Sequence, residues 1–334
     1  MSSWLRNSAA LLLLVVAGSA VAASDAMTVE ITALKNPVDK SYRKMVKGMD
    51  LFERDRALAP KASLRYKLLQ RKPGGELEQA KVHVVGSSFD LPIAVAPDHT
   101  FTLPRERKAL DEDAVVQSER KAETMTWRAD VRTPGLPSNE RRLGDLRLEC
   151  EVGMEAGLVS QYSVLDRFFD LLENSREYCS RREVRYLFFA ERPLFSVTLK
   201  SGNRRETLSI EKLYAASING RNKNELRYCD CEALLDRAYV LPLGDKSWPN
   251  DTRIELEYMD APAEPIGENA AADAANDALL VGNNKTQVQG AYGRAATIRF
   301  DTGYEVWAYR YGKTEFSVLF APSGLVEKTR LRPA

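Results

Sequence analysis

Residues 303–332 read GYEVWAYRYGKTEFSVLFAPSGLVEKTRLR, three strand-like runs separated by two tight turns. In the first run Glu305, Trp307, Tyr309 and Tyr311 share one face, and Tyr304, Val306 and Ala308 the other. In the second, Phe316, Val318 and Phe320 alternate with Glu315, Ser317 and Leu319, the period of two that strands impose. Gly312-Lys313 and Pro322-Ser323-Gly324 supply the positive or preset φ that reverses a chain. This is a three-stranded antiparallel meander with a face to bury, so something must cover it.

The cover is expected just upstream. Residues 260–275 read DAPAEPIGENAAADAA. The first half, to residue 268, is a Pro- and acid-rich linker. From Asn269 an Ala-rich helix follows, ending in Leu279, Leu280 and Val281. A second helix begins after Asn284, which takes the N-cap place with Gln287 three residues on, the geometry of a capping box.

Further back, residues 155–260 read as a mixed α+β region. Ser163 and Asp166 form a capping box before a helix whose face is Leu165, Phe168, Phe169 and Leu172. Strands are expected at 184–189, 195–199, 206–210 and 253–258, a hairpin turn at Ser201-Gly202-Asn203, and a short helix at 231–237. Within a domain expected over residues 27–154, the chain from Ser63 switches to short period-two runs at 63–70, 79–85, 91–96, 99–103, 124–132 and 143–152, with turn residues between them. That pattern predicts an N-terminal β-sandwich. Ahead of it stand a strand at 28–34 and a helix with Asn36 as N-cap, Pro37 next and Asp39 in the first turn. Its face is Val38, Tyr42, Met45, Met49 and Phe52. The expected fold class is therefore α+β and multi-domain.

The first residues, MSSWLRNSAALLLLVVAGSAVAASDA, place Arg6 before a short apolar run and then small residues. This is the form of a secretory signal peptide over residues 1–23, with cleavage near Ala22 or Ala23, and the run is too short for a membrane span. No cysteine lies nearby to carry a lipid anchor, and no later stretch approaches a transmembrane length. The expected location is the periplasm. With 48 Lys and Arg against 47 Asp and Glu, the chain has no electrostatic footprint for nucleic acid.

Four cysteines, Cys150, Cys179, Cys229 and Cys231, suit two disulfides in an exported chain. Cys229 and Cys231 are too close in sequence for a relaxed mutual bridge, so each is expected to reach Cys150 or Cys179. A four-thiolate zinc site is the rival, without the usual paired C-x2-C knuckles; no metal or other cofactor is expected.

Catalytic signals are sparse. The two histidines, His83 and His99, read as structural or surface residues rather than bases. Ser87 and Ser88 lack a nucleophile elbow. Ser41-Tyr42-Arg43-Lys44 matches S-x-x-K without its companion motifs, and reads as a solvated helix face. Asp111-Glu112-Asp113 lacks the spacing of a calcium loop. Trp127, Trp248 and the aromatics Trp307, Tyr309 and Tyr311 could stack on a sugar, and in packed strands they more often form core. No catalytic residue is assigned.

One stretch carries more than composition. From Val281 the chain runs VGNNKTQVQGAYGRAATIRFDTGYEVWAYRYGKTEFSVLFAPSGLVEKTRLRP. Gly282, Val288, Gly293, Trp307-Ala308-Tyr309 and Phe320 through Gly324 resemble the SmpA/OmlA (BamE-like) domain of outer-membrane assembly lipoproteins. Asn283 stands where that family has methionine, and the proline after Gly293 is missing. The resemblance implies two helices on a three-stranded antiparallel sheet over residues 269–334, and a protein-binding module without catalytic residues. The portion over residues 28–260 resembles uncharacterised periplasmic proteins. The resulting expectation is a soluble, non-enzymatic envelope protein that binds another envelope protein. The alternatives are a glycan- or peptidoglycan-binding sandwich using Trp127 or Trp248, and a hydrolase using two carboxylates.

Overall fold

Helix α1 (Tyr42–Arg54) starts later than its apolar periodicity predicts, with Ser41 rather than Asn36 as N-cap. The reason is upstream pairing: strand β1 (Lys40–Ser41) is held antiparallel against Val115 and Val116. The backbone is therefore extended until the Ser41 Oγ accepts from Lys44 N at 3.4 Å. The computed structural model describes residues 39–74, 77–120, 124–159, 175–182, 184, 186–215, 234–262 and 270–334. The expected signal peptide, the strand at 28–34, the helix after Ser163, Cys229, Cys231 and most of the linker lie outside them.

Strands β2 (Ser63–Gln70), β3 (Val82–Val85), β4 (Asp90–Ile93) and β5 (Thr100–Phe101) follow in order. Then come α2 (Arg107–Asp111), β6 (Val115–Ser118), β7 (Met125–Arg132), β8 (Glu140–Arg142) and α3 (Leu143–Glu155). They form two antiparallel sheets, β1-β6-β3-β4 and β5-β2-β7. Tyr66, Leu68, Val84, Val116, Trp127 and Val131 from these sheets share one core with Met45 and Phe52 of α1 and Leu148 and Val152 of α3. Where α1 crosses α3, a Cβ on Gly48 would lie 2.7 Å from that of Ala156, so only glycine permits the approach.

Residues 143–152 are helix, not the expected strand. Leu146 and Cys150 join one core and Leu148 and Val152 another. Each pair is spaced i, i+4, as one side of a helix requires. Because both sides of α3 are buried, the two pairs interleave into Leu146, Leu148, Cys150, Val152, which imitates the period of a strand.

The next elements are α4 (Ser175–Ser180), β9 (Leu187–Phe189), β10 (Leu194–Ser201), β11 (Arg204–Thr207), β12 (Ala238–Val240) and β13 (Arg253–Tyr258). Sheet β11-β10-β13-β8 takes in β8 from before α3, and β12 pairs with β9. Cys150 of α3 is bonded to Cys179 of α4. This corrects the expected pairing: Cys150 and Cys179 are bonded to each other and so are not open to Cys229 or Cys231.

The last elements are α5 (Ala270–Leu280), α6 (Lys285–Tyr292), β14 (Ala296–Arg299), β15 (Glu305–Tyr311), β16 (Thr314–Phe320) and β17 (Val326–Pro333). Their sheet, β14-β15-β16-β17, has four strands rather than three. The extra one, β14, is short and mostly exposed, so its sequence carries little strand signal. The sheet is buried on both faces. Trp307, Tyr309, Phe316, Val318 and Phe320 pack with Leu280 and Val288 of the helices. Ile298, Val306, Ala308 and Leu319 join the larger core that holds Leu194, Phe195 and Tyr214. The chain from Asn36 onward is accordingly one compact unit, an α+β fold whose named strand pairs are all antiparallel.

The face turned to the larger core is also charged. On β17, Lys328, Arg330 and Arg332 are each 2% exposed or less. The Lys328 ammonium donates to the carbonyls of Tyr258 and Ala261 at 2.6 and 2.7 Å. Arg330 donates to Glu257 at 2.6 Å and to Asp273 at 2.7 Å. Burial pushes the Glu257 and Asp273 carboxyls up, against the downward pull of Arg330. Glu315, fully buried on β16, accepts from Ile210 N at 3.3 Å.

Candidate functional site

Helix α5 is built inside out. Its two acids turn toward the sheet: Asp273 accepts from Arg330 and from Leu331 N at 2.7 Å, and Asp277 accepts from Thr329 N. They thereby occupy outward backbone donors of the edge strand β17, which would otherwise template further pairing. The opposite face is left to Ala271, Ala274, Ala275, Ala278 and Leu279, all exposed. On α6 the exposed residues are Thr286, Gln287, Gln289, Gly290 and Ala291. The sole cation of the helix pair, Lys285, is tied to Glu305. In a chain with 28% charged residues, this two-helix face presents no charge that is not already engaged with the sheet.

The large apolar side chains left exposed among the described residues are Leu279 at 73%, Tyr311 at 56%, Val281 at 51% and Leu325 at 43%. All four belong to this terminal unit. Three of them, Leu279, Val281 and Leu325, flank the point where Gly282 N donates to Val326 O and Val326 N to Asn283 O, both at 2.9 Å. Those bonds lay the α5–α6 connection on the β16–β17 turn. Gly282 and Gly324, with φ of 86° and 81°, make the two turns in a region few other residues adopt.

The positions that carried the family resemblance are the scaffold beneath this face. Val288 is fully buried, Gly293 closes α6 with φ 79°, and the Asn284–Gln287 capping box is present in both directions. Trp307 is 8% exposed and Tyr309 4%; the Trp307 indole donates to Glu305 at 2.6 Å and packs 4.8 Å from the Phe320 ring. These aromatics are core under two helices, while Tyr311 is exposed at the far end of β15.

The remaining sequence candidates are not brought together. Ser41 caps α1, so S-x-x-K here is a capping motif. His83 Nδ1 lies 2.6 Å from Asp90 on the β3–β4 hairpin, and His99 occupies a turn with φ 59°. Glu112 accepts from the Ser88 hydroxyl and N–H and the Ser87 hydroxyl, which holds its carboxyl down at about 2; Asp113 pairs with Arg43. The acid cluster at 111–113 is thus spent on closing loops, and no group of three or more possible metal ligands occurs among the described residues. Trp127 and Trp248 are 0% and 1% exposed, so neither presents the open indole that sugar stacking uses.

A cleft of about 290 Å³ lies between β2 and the β9 region, lined by Lys67, Leu69, His99, Phe189, Glu191 and Arg237 among others. A cavity of about 30 Å³ adjoins it at Asp130, Arg141 and Glu149. Sequence reasoning passed over these three, although charges inside an otherwise apolar strand and helix were a signal. Burial works against the Asp130 carboxylate, but Arg141 and Arg132 outweigh it and hold it below the usual range. Burial pushes Glu149 up despite Arg141 at 2.7 Å. Opposed shifts are what an acid–base pair needs, yet a cavity of about 30 Å³ admits a water rather than a substrate. The cations here are also engaged, with Lys67 donating to Asp98 O at 2.6 Å and Arg132 to Asp130 at 2.8 Å.

No family model matches the chain, and neither a curated protein nor a solved structure matches it.

Proposed function

We propose that this chain is an exported, non-catalytic protein of the cell envelope that docks another envelope protein on a BamE-like terminal unit. The observation that carries the reading is the uncharged α5–α6 face with Leu279, Val281 and Leu325 exposed at one end. Depleted charge with protruding apolar side chains is the composition of an interface centre. The Cys150–Cys179 bond suits an oxidising compartment such as the periplasm. Among the described residues no helix is long and apolar enough to cross a membrane.

The partner meets the outer helix face, because the terminal sheet has no free face. Removing residues 269–334 would strip the larger core of Ile298, Val306 and Leu319, so deletion tests folding rather than docking. The suitable variants are Leu279→Glu and Val281→Glu, both at exposed positions. Burying each side chain in a partner is worth about 1.5–3 kcal/mol, and a buried unpaired carboxylate adds to the loss. The experiment captures partners from an envelope extract with the wild-type chain, with these variants and with a Lys81→Glu control. A partner held by wild type and control but lost in both variants is expected. Capture unchanged by either substitution would refute the assignment.

A further inference from the structure

A second cleft, of about 390 Å³, opens at the start of α3. Its charged lining is Lys61, Arg142 and Arg253 against a single carboxylate, Asp251, over apolar walls of Pro60 and Leu136. The three cations arrive from separate places: the turn before β2, the N-cap of α3 and the first residue of β13.

These cations are loosely engaged. Arg142 reaches Leu58 O at 3.4 Å and Asp145 at 3.7 Å. Arg253 reaches Glu140 at 3.5 Å. Lys61 is exposed and makes no hydrogen bond or ion pair among the described residues. Asp145 does not line the cleft: it is 1% exposed, accepts from Thr133 N and Oγ1 at 2.7 and 2.9 Å, and offsets part of the Arg142 charge from behind the wall. By contrast Arg141 is closely paired to Glu149 at 2.7 Å. Here the donors are left to a ligand. The positive end of α3, 13 residues long, adds a favourable field for an anion, although its first two N–H groups are spent on Thr252 O and Asn250 O.

We propose that this cleft binds a small molecule carrying an oxyanion, phosphate or carboxylate, on a body that rests against Pro60 and Leu136. Guanidinium forks suit both groups, and the volume is that of a small-ligand site. The proposal is independent of the docking face on α5 and α6.

The test is calorimetric titration of the full chain with pyrophosphate and with citrate, beside co-sedimentation with phosphatidylglycerol vesicles. The variants are Lys61→Ala and Arg253→Ala, with Lys81→Ala as control; Arg253 is 44% exposed, and circular dichroism checks that each variant is folded. Saturable binding that weakens about tenfold in each variant, falls with added salt and is unchanged in the control is expected. Binding of citrate but not pyrophosphate assigns carboxylate, and the reverse assigns phosphate. Vesicle binding that depends on Lys61 and Arg253, without binding of either free anion, assigns a lipid headgroup as the phosphate source. No binding in any arm, or binding indifferent to both variants, overturns the proposal.

Discussion

Replacing Arg330 with methionine tests the energetics of the seam under the terminal sheet. Its guanidinium bridges Glu257 and Asp273 at 2.6 and 2.7 Å, and the three side chains are 2–3% exposed. Methionine keeps much of the volume and removes both ion pairs, leaving two buried carboxylates, with Lys328 3.9 Å from Glu257. Breaking a buried pair by removing one partner costs about 3–5 kcal/mol, or roughly 6–10 °C in melting temperature for a chain of this size. The sign of the pH dependence follows. Burial already raises Glu257 and Asp273, and Arg330 opposes that rise. Without Arg330 both folded-state values climb further above their unfolded ones. A raised carboxyl favours the protonated folded state, so the variant's deficit is largest at pH 8 and shrinks toward pH 5. Urea unfolding of wild type and Arg330→Met across that range measures it. A deficit below about 1 kcal/mol, or one that does not shrink on acidification, would refute the claim that these charges are buried and mutually dependent.

Further outcomes follow from other features. Replacing Cys150 and Cys179 by alanine opens a cross-link between residues 29 apart. It should lower unfolding free energy by about 3.5 kcal/mol on the chain-entropy account, read from denaturant midpoints. Peptide mapping of the oxidised protein should recover the two cysteines in one linked pair. Burial raises the Glu151 carboxyl to about 7, with Lys246 and Arg54 opposing. Its contribution therefore falls as pH rises from the unfolded value of 4.5 through about 7. Carboxyl carbon NMR should show a titration near neutrality that disappears in Glu151→Gln, and an ordinary acidic midpoint would contradict the burial.

Much of the strand framework was legible because many of the strands alternate apolar residues at a period of two. The runs at 63–70 and 253–258 match β2 and β13 to the residue. The alternation of Trp307 and Tyr309 against Val306 and Ala308 sorts them onto the observed faces. Legibility failed where burial is two-sided or charge is internal. Helix α3 reads as a strand because two cores claim alternate residues. Strand β17 has the sequence VEKTRLRP, and its cations are buried because partners distant in sequence meet them: Glu257 and Asp273 for Arg330, and the carbonyls of Tyr258 and Ala261 for Lys328 and of Phe195 for Arg332. For the candidate sites, Trp307, Tyr309 and the turn at Gly324 were readable from local spacing, while Gly282 and Gly293 were singled out only by the family resemblance. The two clefts were not, since Lys61 and Arg253, or Lys67 and Glu191, become neighbours only through tertiary packing.

The two-sided burial of the terminal sheet also sets an order of assembly. The larger core begins at Leu143 and Leu146 and is completed by Ile298, Val306 and Leu319, residues more than a hundred positions away. Until those strands arrive, Leu194, Phe195 and Tyr214 lack their neighbours in the same cluster. Long-range closure of this kind is slow and leaves apolar surface open in the interval. A newly made chain is therefore sticky along its middle third until its last strands dock.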